Sequence, residues 1–352
     1  METSIGGAQH QETSMSNPSK PKILIARAVF PQVLERLAQS LEVESNQDDV
    51  LWTKAQLIER LRGKQGVFTT GGERIDEELL LACPDLRICA NMAVGYNNFD
   101  LPAMTAHGVL GTNAPDVLTE TTADFGFALL MAAARRVTES EHFLRAGQWD
   151  RWRYDMFAGA EVHGSTLGIL GMGRIGQGIA KRGAHGFGMK VIYHNRSRLE
   201  PSLEAACAAR YVGKDELLRS ADHLVLVLPY SPASHHAIGA PELALMKSSA
   251  ILVNLARGGI VDDAALAQAL RERRIAGAGL DVFEGEPKVH PDLLTLANVA
   301  LTPHIASATV PTRLAMSNLA ADNLIDFFAG RGAKTALNPQ ALAARAALEQ
   351  QR

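Results

Sequence analysis

Residues 166–180 read Thr-Leu-Gly-Ile-Leu-Gly-Met-Gly-Arg-Ile-Gly-Gln-Gly-Ile-Ala and contain the pattern G-x-G-x-x-G. An apolar run that predicts a strand precedes the glycines, and a segment that predicts a helix follows them. In that context the first glycine permits a tight turn, the second lets a pyrophosphate approach the backbone, and the third lets the helix pack closely on the strand. The pattern predicts a dinucleotide site, with a glycine-rich turn that binds nothing as the alternative. The residues expected to contact the cofactor here are Gly171, Gly173, Arg174, Ile175 and Gly176.

The next predicted strand, residues 190–194, indicates which dinucleotide binds. An NAD-specific site commonly carries Asp or Glu at the end of this strand, where it accepts hydrogen bonds from the ribose hydroxyls. Here Asn195 stands at that point, and Arg196, Ser197 and Arg198 follow it. No carboxylate repels a 2′-phosphate, and the two guanidinium groups offer it paired hydrogen bonds. The segment predicts NADP(H) as the preferred cofactor and NAD(H) as a second one; a solvated Arg-Ser-Arg turn is the alternative.

Strand-like and helix-like segments alternate on both sides of the glycine-rich stretch, a rhythm typical of βαβ units and parallel sheets. Before it, strands are predicted at 22–26, 66–70, 86–90 and 109–112, and helices at 33–40 and 76–82. Residues 119–146 predict one long connecting helix that opens with the N-cap cluster Thr-Glu-Thr-Thr. Residues 313–330 predict a last amphipathic helix that ends at Gly330, packs back on the first series and is followed by loose chain.

The predicted fold class is therefore α/β, with two Rossmann-like or flavodoxin-like parallel-sheet domains and the active site in the cleft between them. Residues 22–118 plus 304–340 are expected to form the substrate domain, and residues 119–303 the dinucleotide-binding domain. Residues 1–21 are polar, with no apolar run, and predict a disordered tail.

Composition bounds the function classes. The 352 residues carry a formal net charge of −3, so no strong basic character points to nucleic acid or anionic lipid. No stretch is apolar enough for a membrane span or a signal peptide. Three cysteines cannot form a disulfide framework, which favours reduced thiols and a cytoplasmic location. The eleven histidines show no metal-ligand spacing, and the adjacent pair His235 and His236 would point apart on a regular element, so no metal is expected.

Three further predicted strands are followed by charged or titratable residues that could act in catalysis. Arg257 follows the strand at 249–256, Glu286 follows the strand that contains Asp281, and His304 follows the strand at 298–302. In an open α/β sheet the carboxyl ends of the strands line the ligand crevice. These side chains are therefore expected on the side where the cofactor lies.

The phrases around these residues resemble the D-isomer-specific 2-hydroxyacid dehydrogenase family over nearly all of residues 22–340, and within it the glyoxylate/hydroxypyruvate and 2-ketogluconate reductases. They are Gly-Met-Gly-Arg-Ile-Gly at 171–176, Met-Lys-Ser-Ser-Ala-Ile at 246–251, Ala-Gly-Leu-Asp-Val-Phe-Glu-Gly-Glu-Pro at 278–287 and Pro-His-Ile-Ala-Ser-Ala-Thr at 303–309. The resemblance implies NAD(P)H-dependent reduction of a small 2-keto acid (glyoxylate, hydroxypyruvate or 2-ketogluconate) to the D-2-hydroxy acid.

The resemblance also implies roles for the residues. His304 would donate the proton to the keto oxygen, with Glu286 beside it favouring the charged imidazolium. Arg257 would bind the substrate carboxylate and polarise the keto oxygen. In the first lobe, the backbone N–H groups of Val94 and Gly95 would bind the carboxylate, or these residues form only a strand-to-loop turn. Positions around the cofactor would be Thr122, Leu228, Pro229 and Asp281.

The aromatic and basic stretch at 148–154 resembles family segments that join two subunits, which implies a homodimer. Trp152 either reaches the partner's active site or only stabilises the dimer. A nucleotide-sensing, corepressor-like protein on the same fold is the alternative function, and it would bind cofactor without keto-acid turnover. The chain contains no G-x-S-x-G, so a serine hydrolase is not indicated.

Overall fold

The computed structural model describes residues 19–350, and it begins with a five-stranded sheet. Its elements are β1 (Lys22–Ile25), α1 (Pro31–Ser40), β2 (Glu42–Ser45), α2 (Lys54–Leu61), β3 (Gly66–Thr69), α3 (Glu77–Ala82), β4 (Ile88–Asn91), α4 (Leu101–Ala106) and β5 (Leu110–Thr112). All strand pairs are parallel, in the order β2-β1-β3-β4-β5, which is the flavodoxin-like order. Every residue of β3 and β4 is buried, because helices cover both faces of a parallel sheet.

A second, seven-stranded sheet follows two connecting helices. Its elements are β6 (Thr166–Leu170), α7 (Arg174–Lys181), β7 (Lys190–His194), α8 (Pro201–Ala206), β8 (Ala209–Tyr211), α9 (Lys214–Ser220), β9 (His223–Leu226), α10 (Ala240–Leu245), β10 (Ile251–Asn254), α11 (Asp263–Arg271), β11 (Gly277–Leu280) and β12 (Val299–Leu301). The order β12-β11-β10-β9-β6-β7-β8 is the Rossmann order with one added strand, again all parallel. The predicted α/β class with two parallel-sheet domains is confirmed.

The connecting segment differs from the predicted single helix over 119–146. It forms α5 (Thr119–Ala134) and α6 (Val137–Arg145), which are separated by Arg136 in a left-handed conformation with φ 55°. The backbone N–H of Ala160 donates to the Ala134 carbonyl at 2.8 Å, so a returning loop occupies the end of α5. The N-cap prediction is also wrong, because Leu118 is the N-cap residue and the threonines lie inside the helix.

The C-terminal part of the chain returns to the first sheet, as predicted. Helix α12 (Val310–Phe328) packs Ala320, Ala321 and Leu324 against the buried side chains of Ile23 and Phe68. It begins earlier than predicted, because the Thr309 side chain caps it by accepting a hydrogen bond from the Thr312 N–H. The residues beyond it are not all loose chain, since α13 spans Ala341–Gln350.

The domain boundaries at 118/119 and 303/304 stay a prediction. The tail predicted over residues 1–21 falls almost entirely outside the described residues, which start at 19. Across residues 19–350, no helix is both long and apolar enough to cross a membrane.

Candidate active site

The glycine-rich loop connects β6 to α7, and two of its three glycines are required by their surroundings in the protein. Gly171 has φ 101°, and a Cβ there would lie 2.6 Å from the Leu228 nitrogen at the end of the neighbouring strand. A Cβ on Gly176 would lie 2.5 Å from the Gly171 carbonyl oxygen, so only glycine lets α7 approach β6. A Cβ on Gly173 would meet no atom within 4 Å. This second glycine therefore leaves open space above the loop.

The start of α7 is suited to an anion. Its N-cap residue is Gly173, and no side chain caps the first turn. The free N–H groups of that turn and the positive end of the helix dipole favour a bound phosphate. The strand order changes direction between β6 and β9, the usual ligand position in such sheets. Leu228 and Pro229 follow β9 at this point.

Thr122, another predicted cofactor contact, lies near the start of α5, the helix that packs against α7. Its hydroxyl is buried and has no hydrogen-bond partner within residues 19–350. A buried hydroxyl without a partner costs free energy, so a ligand atom would satisfy it. The glycine loop, the uncapped helix and this hydroxyl all fit a bound dinucleotide.

Just after β7, the two arginines predicted to bind a 2′-phosphate differ in their hydrogen-bond partners. Asn195 accepts a hydrogen bond from the Met172 N–H at 2.6 Å and so ties the glycine-rich loop to this strand. Arg196 and Ser197 are exposed, and their side chains make no hydrogen bond within the described part of the chain. Arg198 instead donates two hydrogen bonds to Glu204, at 2.9 and 2.7 Å.

Glu204 was not anticipated from the sequence. The Tyr193 hydroxyl also donates to it at 2.7 Å, and the hydrogen bonds from Arg198 and Tyr193 lower the pKa of Glu204 to about 2. This carboxylate therefore stays ionised and competes with any phosphate for Arg198. No sequence motif marks it, because the pairing depends on how α8 packs against β7.

His304 and Glu286 meet at the carboxyl end of the second sheet. Nδ1 of His304 lies 2.8 Å from Oε2 of Glu286, and Nε2 of the ring makes no hydrogen bond within residues 19–350. The other carboxylate oxygen, Oε1, accepts a hydrogen bond from the Phe283 N–H at 2.9 Å. Burial raises the pKa of Glu286, but the hydrogen bonds and the charges of His304 and Arg257 outweigh it, so the net shift is downward. The carboxylate is thus held ionised behind the imidazole.

Asp281 shapes the loop that carries His304. The side chain is fully buried and accepts hydrogen bonds from the Thr302 hydroxyl and from the N–H groups of Ile305 and Ala306, all within 2.9 Å. Its backbone carbonyl accepts from the His304 N–H, also at 2.9 Å. Burial raises the pKa of Asp281 despite these hydrogen bonds. Asp281 thus positions the residues on either side of His304. The predicted contact between Asp281 and the cofactor stays a prediction.

Arg257 joins the two sheets at the site. A Cβ on Gly95 would collide with the Arg257 guanidinium, so this glycine provides the room for the arginine. The Val94–Gly95 turn is fixed in place, since the side-chain amide of Asn113 donates to the Val94 carbonyl at 2.8 Å and that of Asn91 donates to the Gly95 carbonyl at 2.9 Å. Burial lowers the pKa of Arg257, and the charge of Glu286 opposes this shift.

Two further features were missed or mistaken. Arg313, in the first turn of α12, is half-buried and makes no side-chain hydrogen bond or ion pair within residues 19–350. Burial lowers its pKa, and the charge of Asp281 opposes this shift.

His235 and His236 do not point apart, contrary to the prediction. They lie in a loop where His236 has φ 49°, and their rings stack with centroids 3.9 Å apart. The prediction that the two rings point apart assumed a regular helix or strand, and residues 235–236 form a turn instead.

Comparison with known proteins gives the family. The model of the D-isomer specific 2-hydroxyacid dehydrogenase NAD-binding domain matches residues 127–306. A glyoxylate reductase from Thermococcus onnurineus is 46% identical over 330 residues, which cover 93% of this chain and 98% of that protein. A glyoxylate reductase from Aeropyrum pernix is 46% identical over 338 residues, with the same coverage.

Among solved structures, an NADPH-dependent glyoxylate/hydroxypyruvate reductase from Sinorhizobium meliloti, in complex with NADP and malonate, is 36% identical. It superposes with a TM-score of 0.81, covering 92% of this chain and 98% of that one. The similarity thus runs through both sheets and not only through the nucleotide-binding half. This protein belongs to the D-isomer specific 2-hydroxyacid dehydrogenase family.

Proposed function

We propose that this chain reduces a small 2-keto acid to the D-2-hydroxy acid, with NADPH as the preferred cofactor and NADH as a second one. Glyoxylate, hydroxypyruvate and 2-ketogluconate are the candidate substrates. The observation that carries the proposal is the convergence of three side chains. The His304–Glu286 pair lies at the strand ends of the second sheet, and Arg257 reaches from the same sheet to Gly95 of the first.

The cofactor-binding residues follow from the geometry of the loop and helix. The N–H groups at the start of α7 would hold the pyrophosphate, and Arg196 and Ser197 would hold a 2′-phosphate. Thr122 would contact the nicotinamide side through its unpartnered hydroxyl. When bound, the nicotinamide supplies a hydride to the carbonyl carbon of the substrate.

The substrate carboxylate is assigned to Arg257 and to the backbone N–H groups of Val94 and Gly95. A guanidinium in a partly buried cleft binds a carboxylate more strongly than one in water, because water competes less for the charges. The same guanidinium polarises the keto oxygen as negative charge develops on it. Asn91 and Asn113 position the Val94–Gly95 turn, so its N–H groups are fixed before the substrate arrives.

His304 is assigned as the proton donor. Glu286 occupies Nδ1 and orients the ring, so Nε2 is the atom that transfers a proton to the keto oxygen. In the direction of hydroxy-acid oxidation the same nitrogen accepts the proton.

Substitution of the two central residues tests this assignment. His304→Ala should lower kcat by about 10²–10⁴-fold, the range of lost general acid catalysis. Arg257→Ala should lower kcat/KM for the keto acid by about 10²-fold or more, because carboxylate binding and oxyanion stabilisation are both lost. His107→Ala is the matched control, since His107 also pairs with a carboxylate, Glu77 at 2.9 Å, but at the end of α4. Near-normal rates in both active-site variants would refute the assignment.

The homodimer and the cytoplasmic location are also proposed. Trp149, Trp152 and Tyr154 stand close together in the sequence and expose 56%, 76% and 87% of their surface. Grouped exposed aromatic side chains are typical of an interaction surface. Burial against a second copy of the chain would remove this apolar area from water.

A further inference from the structure

Among residues 19–350, one group of three side chains has the composition and spacing of a metal site, and it lies outside the residues assigned to the reaction. One ring nitrogen each of His235 and His236 and one carboxylate oxygen of Glu284 all lie within 4.8 Å of one another. Nε2 of His236 is already 2.9 Å from Oε2 of Glu284. His235 and Glu284 are exposed and His236 is partly so, so an ion can reach the group from solvent.

The far sides of the two rings face oxygen atoms. Nδ1 of His235 lies 3.3 Å from the hydroxyl of Tyr230, and Nδ1 of His236 lies 3.9 Å from Oδ2 of Asp262. Histidines that bind metals commonly direct one ring nitrogen toward such an oxygen and bind the ion with the other. In both rings Nε2 is therefore the nitrogen left for an ion.

We propose that His235, His236 and Glu284 bind a divalent transition-metal ion, with Zn²⁺ the best fit. Two imidazoles and one carboxylate are a ligand set that Zn²⁺ accepts, and a water molecule completes the tetrahedron. Bonds of about 2.1 Å require the ligand atoms to lie roughly 3.4 Å apart. The His236–Glu284 pair at 2.9 Å would therefore open slightly, and the widest pair, at no more than 4.8 Å, would close by at most about 1.4 Å. His235 and Glu284 are exposed, so rotation about their side-chain bonds can adjust these distances.

The ion would join two loops that lead into the candidate active site. The His235–His236 loop follows Pro229 after β9, and Glu284 stands two residues before Glu286. The His236 N–H donates to the Gly259 carbonyl at 2.7 Å, and the Glu284 N–H donates to the Asp263 side chain at 3.0 Å. Both loops are thus already tied to the segment after Arg257. The proposal does not depend on the assigned reaction, because it concerns binding alone.

Zinc titration of the tag-free protein by isothermal titration calorimetry tests the proposal. We expect one Zn²⁺ per chain, and a rise in Tm with zinc, since an ion that binds only the folded state stabilises it. His235→Gln, His236→Gln and Glu284→Gln should each weaken binding by about tenfold or more. His107→Gln should leave the affinity unchanged, because the His107–Glu77 pair belongs to no group of three possible metal ligands within residues 19–350. Thermal unfolding without zinc shows that each variant is folded.

Two results would overturn the proposal. One is a wild-type protein that binds no zinc, or binds it with an affinity that the three substitutions leave unchanged. The other is binding that His304→Gln abolishes and His236→Gln does not, because the ion would then occupy the His304–Glu286 pair.

Discussion

At the scale of single residues, ion pairing decides which side chains of the candidate site are free to bind ligands. Arg196 and Arg198 are two positions apart and both carry a guanidinium, yet Arg198 is held by Glu204 through two hydrogen bonds, whereas the Arg196 side chain makes no hydrogen bond within residues 19–350. A phosphate would have to displace an ionised carboxylate to recruit Arg198, whereas it would meet Arg196 directly. The two arginines are therefore not equivalent.

This difference predicts a graded effect on cofactor selectivity. Arg196→Ala should raise the KM for NADPH by about tenfold or more and change the KM for NADH little, because a charge-assisted hydrogen bond to the 2′-phosphate is lost. Arg198→Ala should raise the KM for NADPH less than Arg196→Ala does. The measurement is steady-state kinetics with both cofactors.

Arg210→Ala serves as the control for those variants. Arg210 lies on the neighbouring strand β8 and pairs with Glu216 at 3.0 Å, so its removal changes charge at the same edge of the sheet. If Arg198→Ala costs as much NADPH affinity as Arg196→Ala, Arg198 leaves Glu204 to bind the phosphate and the distinction is wrong.

His223 gives the fold a dependence on pH. It is fully buried in β9, and burial lowers its pKa below the 6.5 of an exposed histidine. The unfolded state therefore binds the proton more readily, and stability is lost as pH falls from about 6.5 toward the lowered pKa. We expect the free energy of unfolding to fall by about 1 kcal/mol more between pH 7.5 and 5.5 in the wild type than in His223→Gln. Urea unfolding at both pH values measures the free energy of unfolding of the two proteins. If both lose the same amount of stability, His223 contributes nothing to the pH dependence.

At the scale of elements, some glycines of the β6–α7 loop are needed for folding and another is explained only by ligand binding. Gly171 and Gly176 are required by their neighbours in the protein, whereas Gly173 faces open space. Its φ of −76° is also allowed for alanine. Folding alone does not explain a glycine at this position, whereas the proposed approach of a pyrophosphate would.

Gly173→Ala should therefore fold normally and bind cofactor poorly. We expect its unfolding free energy to stay within about 1 kcal/mol of the wild type, and its affinity for NADPH to fall at least about tenfold. Gly186→Ala is the control, because a Cβ there also meets no atom within 4 Å but lies outside the loop. Fluorescence titration with NADPH compares them; wild-type affinity in Gly173→Ala would place the pyrophosphate elsewhere.

Helices and strands with a clear pattern of apolar residues could be predicted from the sequence, and others could not. Buried strands such as β1 and β3 are built around short apolar runs, Ile-Leu-Ile at 23–25 and Val-Phe at 67–68. The strand β2 was missed, because Glu42-Val-Glu-Ser45 is a half-exposed edge strand with polar residues. Helix α2 was also missed, although the capping box of Thr53 and Gln56 marks its start in the sequence.

The same distinction applies to the candidate site. The glycine-rich loop, Glu286 and His304 stand in recognisable phrases of the sequence, and Arg257 directly follows a predicted strand. The Arg198–Glu204 pair and the stacked His235 and His236 depend on loop conformations and on packing between elements. Their side-chain partners could not be predicted from one sequence, because no spacing rule connects them.

At the scale of the whole molecule, the two sheets approach each other at the candidate site. Arg257 of the second sheet contacts Gly95 of the first, and α12 carries the chain back from the second sheet to the first. The loop with His304 precedes α12 directly and is fixed by Asp281. Two connections between the lobes, α5 and α12, thus lie beside the site.

The most direct test is the rate of NADPH and NADH oxidation with glyoxylate, hydroxypyruvate, 2-ketogluconate and pyruvate in turn. We expect turnover of at least one of the first three, faster with NADPH than with NADH, and formation of the D-hydroxy acid. Cofactor binding without turnover of any of these keto acids would contradict the proposed reductase and favour a nucleotide-sensing role.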